Sequence, residues 1–179
     1  MRKQIALIFA IAQNGVIGNH DVEKPMSWFL PEDLTYFQKT TIGEGNNMVV
    51  AGSKTWFTIK QKYRPLKKRK NIILSRTIKS VPEEGVVVLS SIEELIDYID
   101  KAEGIDKVFI AGGLEIYRQL MPYAQEIYVT RVHGSPEGDV IWDDLKLGID
   151  TGWMLDTFTE YKADEENAYD MVFEKWVRN

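Results

Sequence analysis

The chain has 179 residues, 44% hydrophobic and 27% charged, a length and balance that suit one soluble domain with its own core. It holds no cysteine, which excludes disulfides and thiolate ligands, and its two histidines, His20 and His133, stand too far apart in sequence to suggest an imidazole metal site. A net charge of −5 argues against general nucleic-acid binding, so any anionic ligand must be held by local positive charge, and no segment is long enough to span a bilayer.

The chain opens with Met1-Arg2-Lys3-Gln4 ahead of an apolar run over 5–12. This could be a secretory signal, with Ala10-Ile11-Ala12 as a cleavage-like site, or a buried first strand closed by the Asn14-Gly15 turn. A run of eight is near the lower limit for a signal core, which favours the strand and a cytoplasmic protein. Next comes Trp28-Phe29-Leu30-Pro31-Glu32-Asp33-Leu34-Thr35-Tyr36-Phe37. Pro31 suits a first helical turn because it has no N–H to leave unpaired. Asp33 lies in that turn and Phe37 four residues on, so Leu30, Leu34 and Phe37 give the helix an apolar face bearing a lone anion. Such an acid can grip a flat, amidine-like ring or lend it a proton. It can equally be a helix-start acid facing the dipole.

Further apolar runs lie at 48–51, 72–74, 86–89 and 108–111. Apolar residues at consecutive positions suit strands covered on both faces, as in a parallel sheet. After the first run, Gly52-Ser53-Lys54-Thr55-Trp56 offers small residues, hydroxyls and a lysine at a helix start, either an anion cradle or an N-cap serine beside a solvated lysine. The basic stretch Lys67-Lys68-Arg69-Lys70 reads as a solvated loop, with Arg69 able to turn inward as a bidentate carboxylate clamp. Ser75-Arg76 puts a guanidinium just after a strand. A helix follows with Ile92, Leu95, Ile96 and Ile99 on one side and Ser90 with Glu93 as a capping box.

Gly112-Gly113 follows the run 108–111 and opens a helix over 114–121 that Pro122 ends; glycines there let backbone amides approach a ligand closely. The pair is neither G-x-G-x-x-G nor G-x-x-x-x-G-K-[ST], so neither a standard dinucleotide fingerprint nor a triphosphate loop is present. Segments 126–132 and 169–176 read as longer strands suited to antiparallel pairing. Loops are expected at 43–47, 60–70 and 136–150. The alternation defines an α/β doubly wound sheet in one domain spanning 1–179. Its ligands bind at the strands' carboxyl ends, where the junctions at 52–56, 75–76 and 112–113 converge.

In this order the segments resemble dihydrofolate reductase over nearly the whole chain. The resemblance rests on Ile8-Phe9-Ala10-Ile11-Ala12 with Asn14-Gly15-Val16-Ile17-Gly18, and on Trp28-x-Leu30-Pro31-x-Asp33-Leu34-x-x-Phe37. It continues through Val50-Ala51-Gly52-Ser53-Lys54-Thr55-Trp56, Arg69-Lys70-Asn71-Ile72-Ile73-Leu74-Ser75-Arg76 and Ile110-Ala111-Gly112-Gly113-Leu114-Glu115-Ile116-Tyr117. Tyr128-Val129-Thr130 and Glu137-Gly138-Asp139 complete it. The family implies a mostly parallel eight-stranded mixed sheet with an antiparallel C-terminal edge strand and helices on both faces. It also implies a monomer that reduces 7,8-dihydrofolate with NADPH for one-carbon, thymidylate and purine metabolism, and that antifolates inhibit.

The resemblance assigns roles residue by residue. Asp33 would bind the pterin's 2-amino group and adjacent ring nitrogen, Thr130 would bond to Asp33 or that amino group, and Trp28 would hold a water near the pterin carbonyl. Ile8, Leu34, Phe37, Ile59 and Leu66 would line the folate slot, with Arg69 on the α-carboxylate of the glutamate tail. Ala10, Ile17 and Tyr117 would flank the nicotinamide, and Gly18 would be a further cofactor-binding residue. Gly112-Gly113 would form a cis peptide beside the cofactor, with Ala111, Leu114, Glu115 and Ile116 around it. Gly52, Ser53, Lys54, Thr55, Ser75 and Arg76 would face the phosphates, Lys54 and Arg76 favouring the 2′-phosphate. The chain departs from the family's pattern in a longer segment over 19–27, in Ser27 in place of the proline before tryptophan, and in Ala51 and Ala111 where larger residues are usual. The competing readings are another reductase of this fold acting on a pterin or pyrimidine relative, and a nucleotide-binding module without turnover.

Overall fold

The computed structural model describes residues 3–21 and 23–179, so Met1-Arg2 of the basic start and Val22 of the long segment after Gly18 lie outside the described residues. The N-terminal apolar run forms strand β1 (Gln4–Ala12), and β2 (Val16–Gly18) follows the Asn14-Gly15 turn. Helix α1 (Pro31–Ile42) begins at Pro31 as its sequence requires. The middle of the chain supplies β3 (Asn47–Gly52), α2 (Ser53–Thr58), β4 (Arg69–Leu74), β5 (Val87–Leu89), α3 (Ile92–Lys101), β6 (Lys107–Ile110) and α4 (Leu114–Leu120). The last third is β7 (Glu126–Val132), β8 (Val140–Ile141), β9 (Trp153–Tyr161) and β10 (Met171–Arg178).

Eight strands form one sheet in the order β5-β4-β3-β6-β1-β7-β10-β9, and β2 with β8 makes a separate two-stranded ribbon. All pairings from β5 to β7 are parallel, whereas β10 runs antiparallel to both β7 and β9. The C-terminal strand is thus antiparallel as expected, but it stands one place in from the edge because β9 covers it.

Alternation along β1 divides the core between the two faces. Ile5, Leu7, Phe9 and Ile11 join a cluster with Leu95 and Ile99 of α3 and with Tyr117 and Leu120 of α4. Ala6 and Ile8 point the other way, packing with Val49 and Phe109 against Phe37 of α1. Helices therefore cover both faces. Leu7, Ile110 and Ile127 are fully buried in adjacent registers, and each contributes about 1.5–3 kcal/mol by leaving water.

Several boundaries differ from the sequence reading. The helix-start pair in α3 is shifted by one: Ser91 is the N-cap, accepting from the Glu94 amide at 3.1 Å, while Glu94 reaches back to the Ser90 amide at 2.7 Å. The cap is Ser91, not Ser90, because it must directly precede the first helical residue, Ile92, and Glu94 closes on Ser90 ahead of the cap instead of on the cap's own amide. The segment 60–70 is not all loop, since Gln61–Tyr63 forms a 3-10 turn and Arg69 already pairs with Asn47 of β3. Likewise 136–150 contains β8, and the strand expected over 169–176 runs Met171–Arg178. Strand β9 was not foreseen. Every side chain from Met154 to Glu160 is exposed, so its sequence has neither an apolar run nor clean alternation, and its backbone pairing to β10 defines it.

Candidate active site

A cleft of about 1330 Å³ runs along the carboxyl ends of β1, β3, β4 and β6. All three predicted junctions reach it: Gly52, Ser53, Lys54 and Thr55; Ser75 and Arg76; and Ala111 through Tyr117. Ile8, Ala10, Ile17, Gly18, Asp33, Leu34, Phe37 and Thr130 line it too. Four expected residues do not line it. Trp28 packs against the cluster containing Leu30 and Phe173. Leu66, like Phe37, packs on the cluster of Ile8, Val49 and Phe109. Ile59 caps the end of α2, its amide donating to the Trp56 carbonyl at 3.1 Å.

Arg69 is the fourth. Its Nη1 donates to the Thr41 hydroxyl at 2.8 Å and its Nε to the Lys67 carbonyl at 2.9 Å. Thr41 in turn donates to the Phe37 carbonyl at 2.7 Å, so the guanidinium sits about one helical turn beyond Phe37 on α1. Partial burial lowers the Arg69 pKa from its ordinary value.

The acid on α1 has a partner from across the sheet. Thr130, buried on β7 opposite Ala10 of β1, donates its hydroxyl to Oδ1 of Asp33 at 2.7 Å. Burial pushes the Asp33 carboxyl above its ordinary value of 3.8, and the bond from Thr130 offsets part of that rise. Asp33 is therefore a desolvated carboxyl held by Thr130 at an apolar wall, not a solvated helix-start charge. Tyr36, which also lines the cleft, stacks on Phe173 with ring centres 4.3 Å apart. Burial, with nearby Tyr128 and Asp33 adding, pushes its hydroxyl up to about 12.

The opposite wall is glycine and hydroxyl. The Gly112-Gly113 peptide is cis, as the family resemblance implied. Gly112 has φ +113°, and an added Cβ would stand 3.1 Å from the Tyr117 hydroxyl, so only glycine fits. A Cβ on Gly113 would lie 3.3 Å from Thr55 Oγ1. The Gly52 amide donates to the Gly112 carbonyl at 2.7 Å, joining two junctions directly. Lys54 and Arg76 are exposed along the same wall, whereas the Ser75 hydroxyl is engaged in its own turn, accepting from the amides of Thr77 and Ile78 at 3.3 and 3.1 Å. Two cations, several hydroxyls and a glycine pair, with no room for a side chain at Gly112, fit a phosphate-bearing dinucleotide.

Beyond Gly18 the chain turns back over the cleft. Asn19 donates from its side chain to the Lys24 carbonyl and to the Ser27 hydroxyl, at 3.0 and 3.2 Å. Ser27 thus ties this segment to itself where a proline could not. The His20 amide donates to Asp139 Oδ1 at 2.8 Å and its ring Nδ1 lies 3.1 Å from the same oxygen. His20, Tyr36, Thr58, Thr77 and Asp139 are cleft residues that the sequence reading did not assign. Thr58 and Thr77 follow assigned hydroxyl positions closely enough to have been found; His20 and Asp139 meet only through tertiary structure.

An acid on an apolar wall opposite a glycine, hydroxyl and cation wall defines a protein that holds an aromatic heterocycle beside a nucleotide. The comparisons with known proteins agree. The family model described as dihydrofolate reductase matches residues 4–178. The chain is 36% identical over 169 residues to the dihydrofolate reductase of Haemophilus influenzae, covering 94% of each chain. It is 34% identical over 172 residues to that of Bacillus subtilis, covering 94% of this chain and 91% of the relative. A solved structure of dihydrofolate reductase from Enterococcus faecalis, complexed with NADP(H) and RAB-propyl, is similar with a TM-score of 0.83 at 31% identity, over 100% of this chain and 98% of that one. The chain belongs to the dihydrofolate reductase family.

Proposed function

We propose that this protein reduces 7,8-dihydrofolate to tetrahydrofolate with NADPH, as a monomeric cytoplasmic enzyme whose residues 1–179 act as one domain. Family membership supports the reaction, and the observation that carries it into this chain is the Asp33–Thr130 pair at 2.7 Å inside the cleft. Among the described residues no helix is long and apolar enough to cross a membrane.

Asp33 holds the 2-amino group and adjacent ring nitrogen of the pterin, and Thr130 fixes the carboxylate's direction while helping to bind the amino group. The raised Asp33 pKa favours a proton shared with the ring nitrogen it faces, which tunes the ring electronically while N5 gains its proton. Ile8, Leu34 and Phe37 sandwich the rings; Leu34 is 54% exposed at the cleft, apolar surface that a bound ring would cover. Trp28, just before α1, holds a water by the pterin carbonyl. Arg69, at the outer end of α1, takes the tail carboxylate with the guanidinium face that Thr41 leaves open. Leu66 and Ile59 back the slot rather than line it.

When bound, NADPH supplies the hydride that C6 of the pterin receives. Ala10, Ile17 and Gly18 seat the nicotinamide, and Tyr117 keeps that wall in register through its bond to the Ile8 carbonyl. Gly112 and Gly113 allow the ligand close to the backbone, with Ala111, Leu114, Glu115 and Ile116 shaping the surroundings. Thr55, Ser53, Gly52 and Ser75 border the phosphates, and Lys54 with Arg76 meets the 2′-phosphate. Antifolates that mimic the pterin's amidine edge occupy the Asp33 subsite. Mixing the protein with NADPH and dihydrofolate should remove the near-ultraviolet absorbance of the reduced nicotinamide at a rate set by enzyme concentration; no loss at any concentration would overturn the reading.

A further inference from the structure

Helix α1 lacks a cap of its own. Its N-cap residue is Leu30, which has no side-chain acceptor, so the first-turn amides need partners from elsewhere. One arrives from the far end of the chain: the Glu32 amide donates to Oδ1 of Asn167 at 3.0 Å. Asn167 is only 2% exposed, in the turn between β9 and β10. Its own orientation is fixed by Asp164, whose Oδ1 accepts from the Asn167 side chain at 2.9 Å and from the Asn167 and Glu166 amides at 2.7 and 2.9 Å. The Tyr161 hydroxyl closes the set, donating to Asp164 Oδ2 at 2.6 Å. These donors hold the Asp164 carboxyl down to about 2, so the clamp stays charged throughout the working range.

The same hairpin touches the acid's neighbours twice more. Phe173 of β10 stacks on Tyr36 of α1, and it lies in register opposite Thr130, the donor to Asp33. Asp33 follows Glu32 directly, so rotation of the first turn about its cap swings the carboxylate relative to Thr130. With the proposed reading of Asp33 as the pterin-binding acid, on which this step rests, we infer that Asn167, fixed by Asp164, is a positioning residue for the substrate: its amide oxygen caps α1 from across the hairpin and sets where Asp33 faces. Neither residue touches the cleft.

The test separates positioning from plain stability. Asn167→Ala is compared with a control of equal lost thermal midpoint in the α3 core, Ile99→Val or Leu95→Ala, and with Asp33→Asn, all at a temperature where every variant is folded. Asn167→Ala should raise KM for dihydrofolate about fivefold, in keeping with loss of a helix cap, and leave KM for NADPH unchanged; the matched control should move neither. Asp164→Asn, which keeps the acceptor oxygen but removes the charge, should give the same split at smaller size and serves if Asn167→Ala does not fold. An unchanged KM for dihydrofolate in these variants, or equal rises for both ligands, overturns the inference. Asp33→Asn with wild-type KM and turnover would instead overturn the reading of Asp33 itself.

Discussion

The hydroxyl of Tyr117 donates to the carbonyl oxygen of Ile8 at 2.8 Å, tying the first turns of α4 to the central strand. Burial pushes that hydroxyl's pKa well up, so it remains a donor at every working pH. Phe9 and Trp142 pack on the Tyr117 ring, at 5.2 and 5.5 Å between centres, and hold it in place. Tyr117→Phe should cost about 1–2 kcal/mol, because a buried carbonyl loses its partner while the ring packing stays. Chemical denaturation would show it as a lower midpoint with an unchanged slope.

Asp33→Asn separates the two roles an acid can have at this position. The folded pKa of Asp33 is raised, so the fold pays a penalty that is absent below the unfolded value near 3.8 and grows as pH rises from there to the folded pKa. The variant removes that penalty. Its stability relative to the parent should therefore increase across that window and level off above it, while turnover with dihydrofolate falls at least about a hundredfold. A helix-start acid would give the opposite: lower stability in the variant and full turnover.

Lys54→Ala combined with Arg76→Ala should weaken NADPH binding at least about tenfold and leave NADH within about threefold, since the pair is assigned to the extra phosphate. Fluorescence titration with each cofactor measures both numbers. Equal losses would move Lys54 and Arg76 to the shared pyrophosphate.

Asp139→Ala removes the carboxylate acceptor for the His20 amide but keeps the Asp139 backbone amide, which donates to Asn19 Oδ1 at 3.3 Å. Both bonds are exposed, so thermal stability should hold. The segment over the cleft loses its side-chain anchor and keeps only the backbone one, and KM for NADPH should rise about two- to fivefold. Steady-state kinetics at fixed dihydrofolate would show it.

Much of this architecture was readable because parallel strands announce themselves as apolar runs: Val49, Val50, Ile72, Ile73, Val108 and Phe109 are all buried on a sheet covered from both sides. Asp33 stood out because Pro31 fixes its helical phase, and Gly112-Gly113 because a glycine pair marks a strand–helix junction, where the positive φ and the Tyr117 ring leave no room for a side chain at Gly112. β9 stayed hidden since Thr157, Thr159 and Glu160 are exposed on both faces and only hydrogen bonding makes them a strand. Arg69 and Leu66 do not line the cleft; one is held by Thr41 of α1 and the other packs with Phe37 of α1 on the Ile8 cluster, placements decided by helix α1 and not by local sequence. The link from Asn167 to Glu32 spans 135 residues, beyond any spacing rule.

Strand β1 gives neighbouring residues to separate compartments: Ile8 to the slot under α1, Phe9 to the packing beneath α3 and α4. A single inserted residue ahead of Ile8 would exchange these sides at once, turning a bulky ring into the folate slot and an aliphatic chain beneath Tyr117. Both ligand subsites would be lost from one lesion that removes no functional group. The central strand should therefore tolerate changes of side-chain type far better than changes of length.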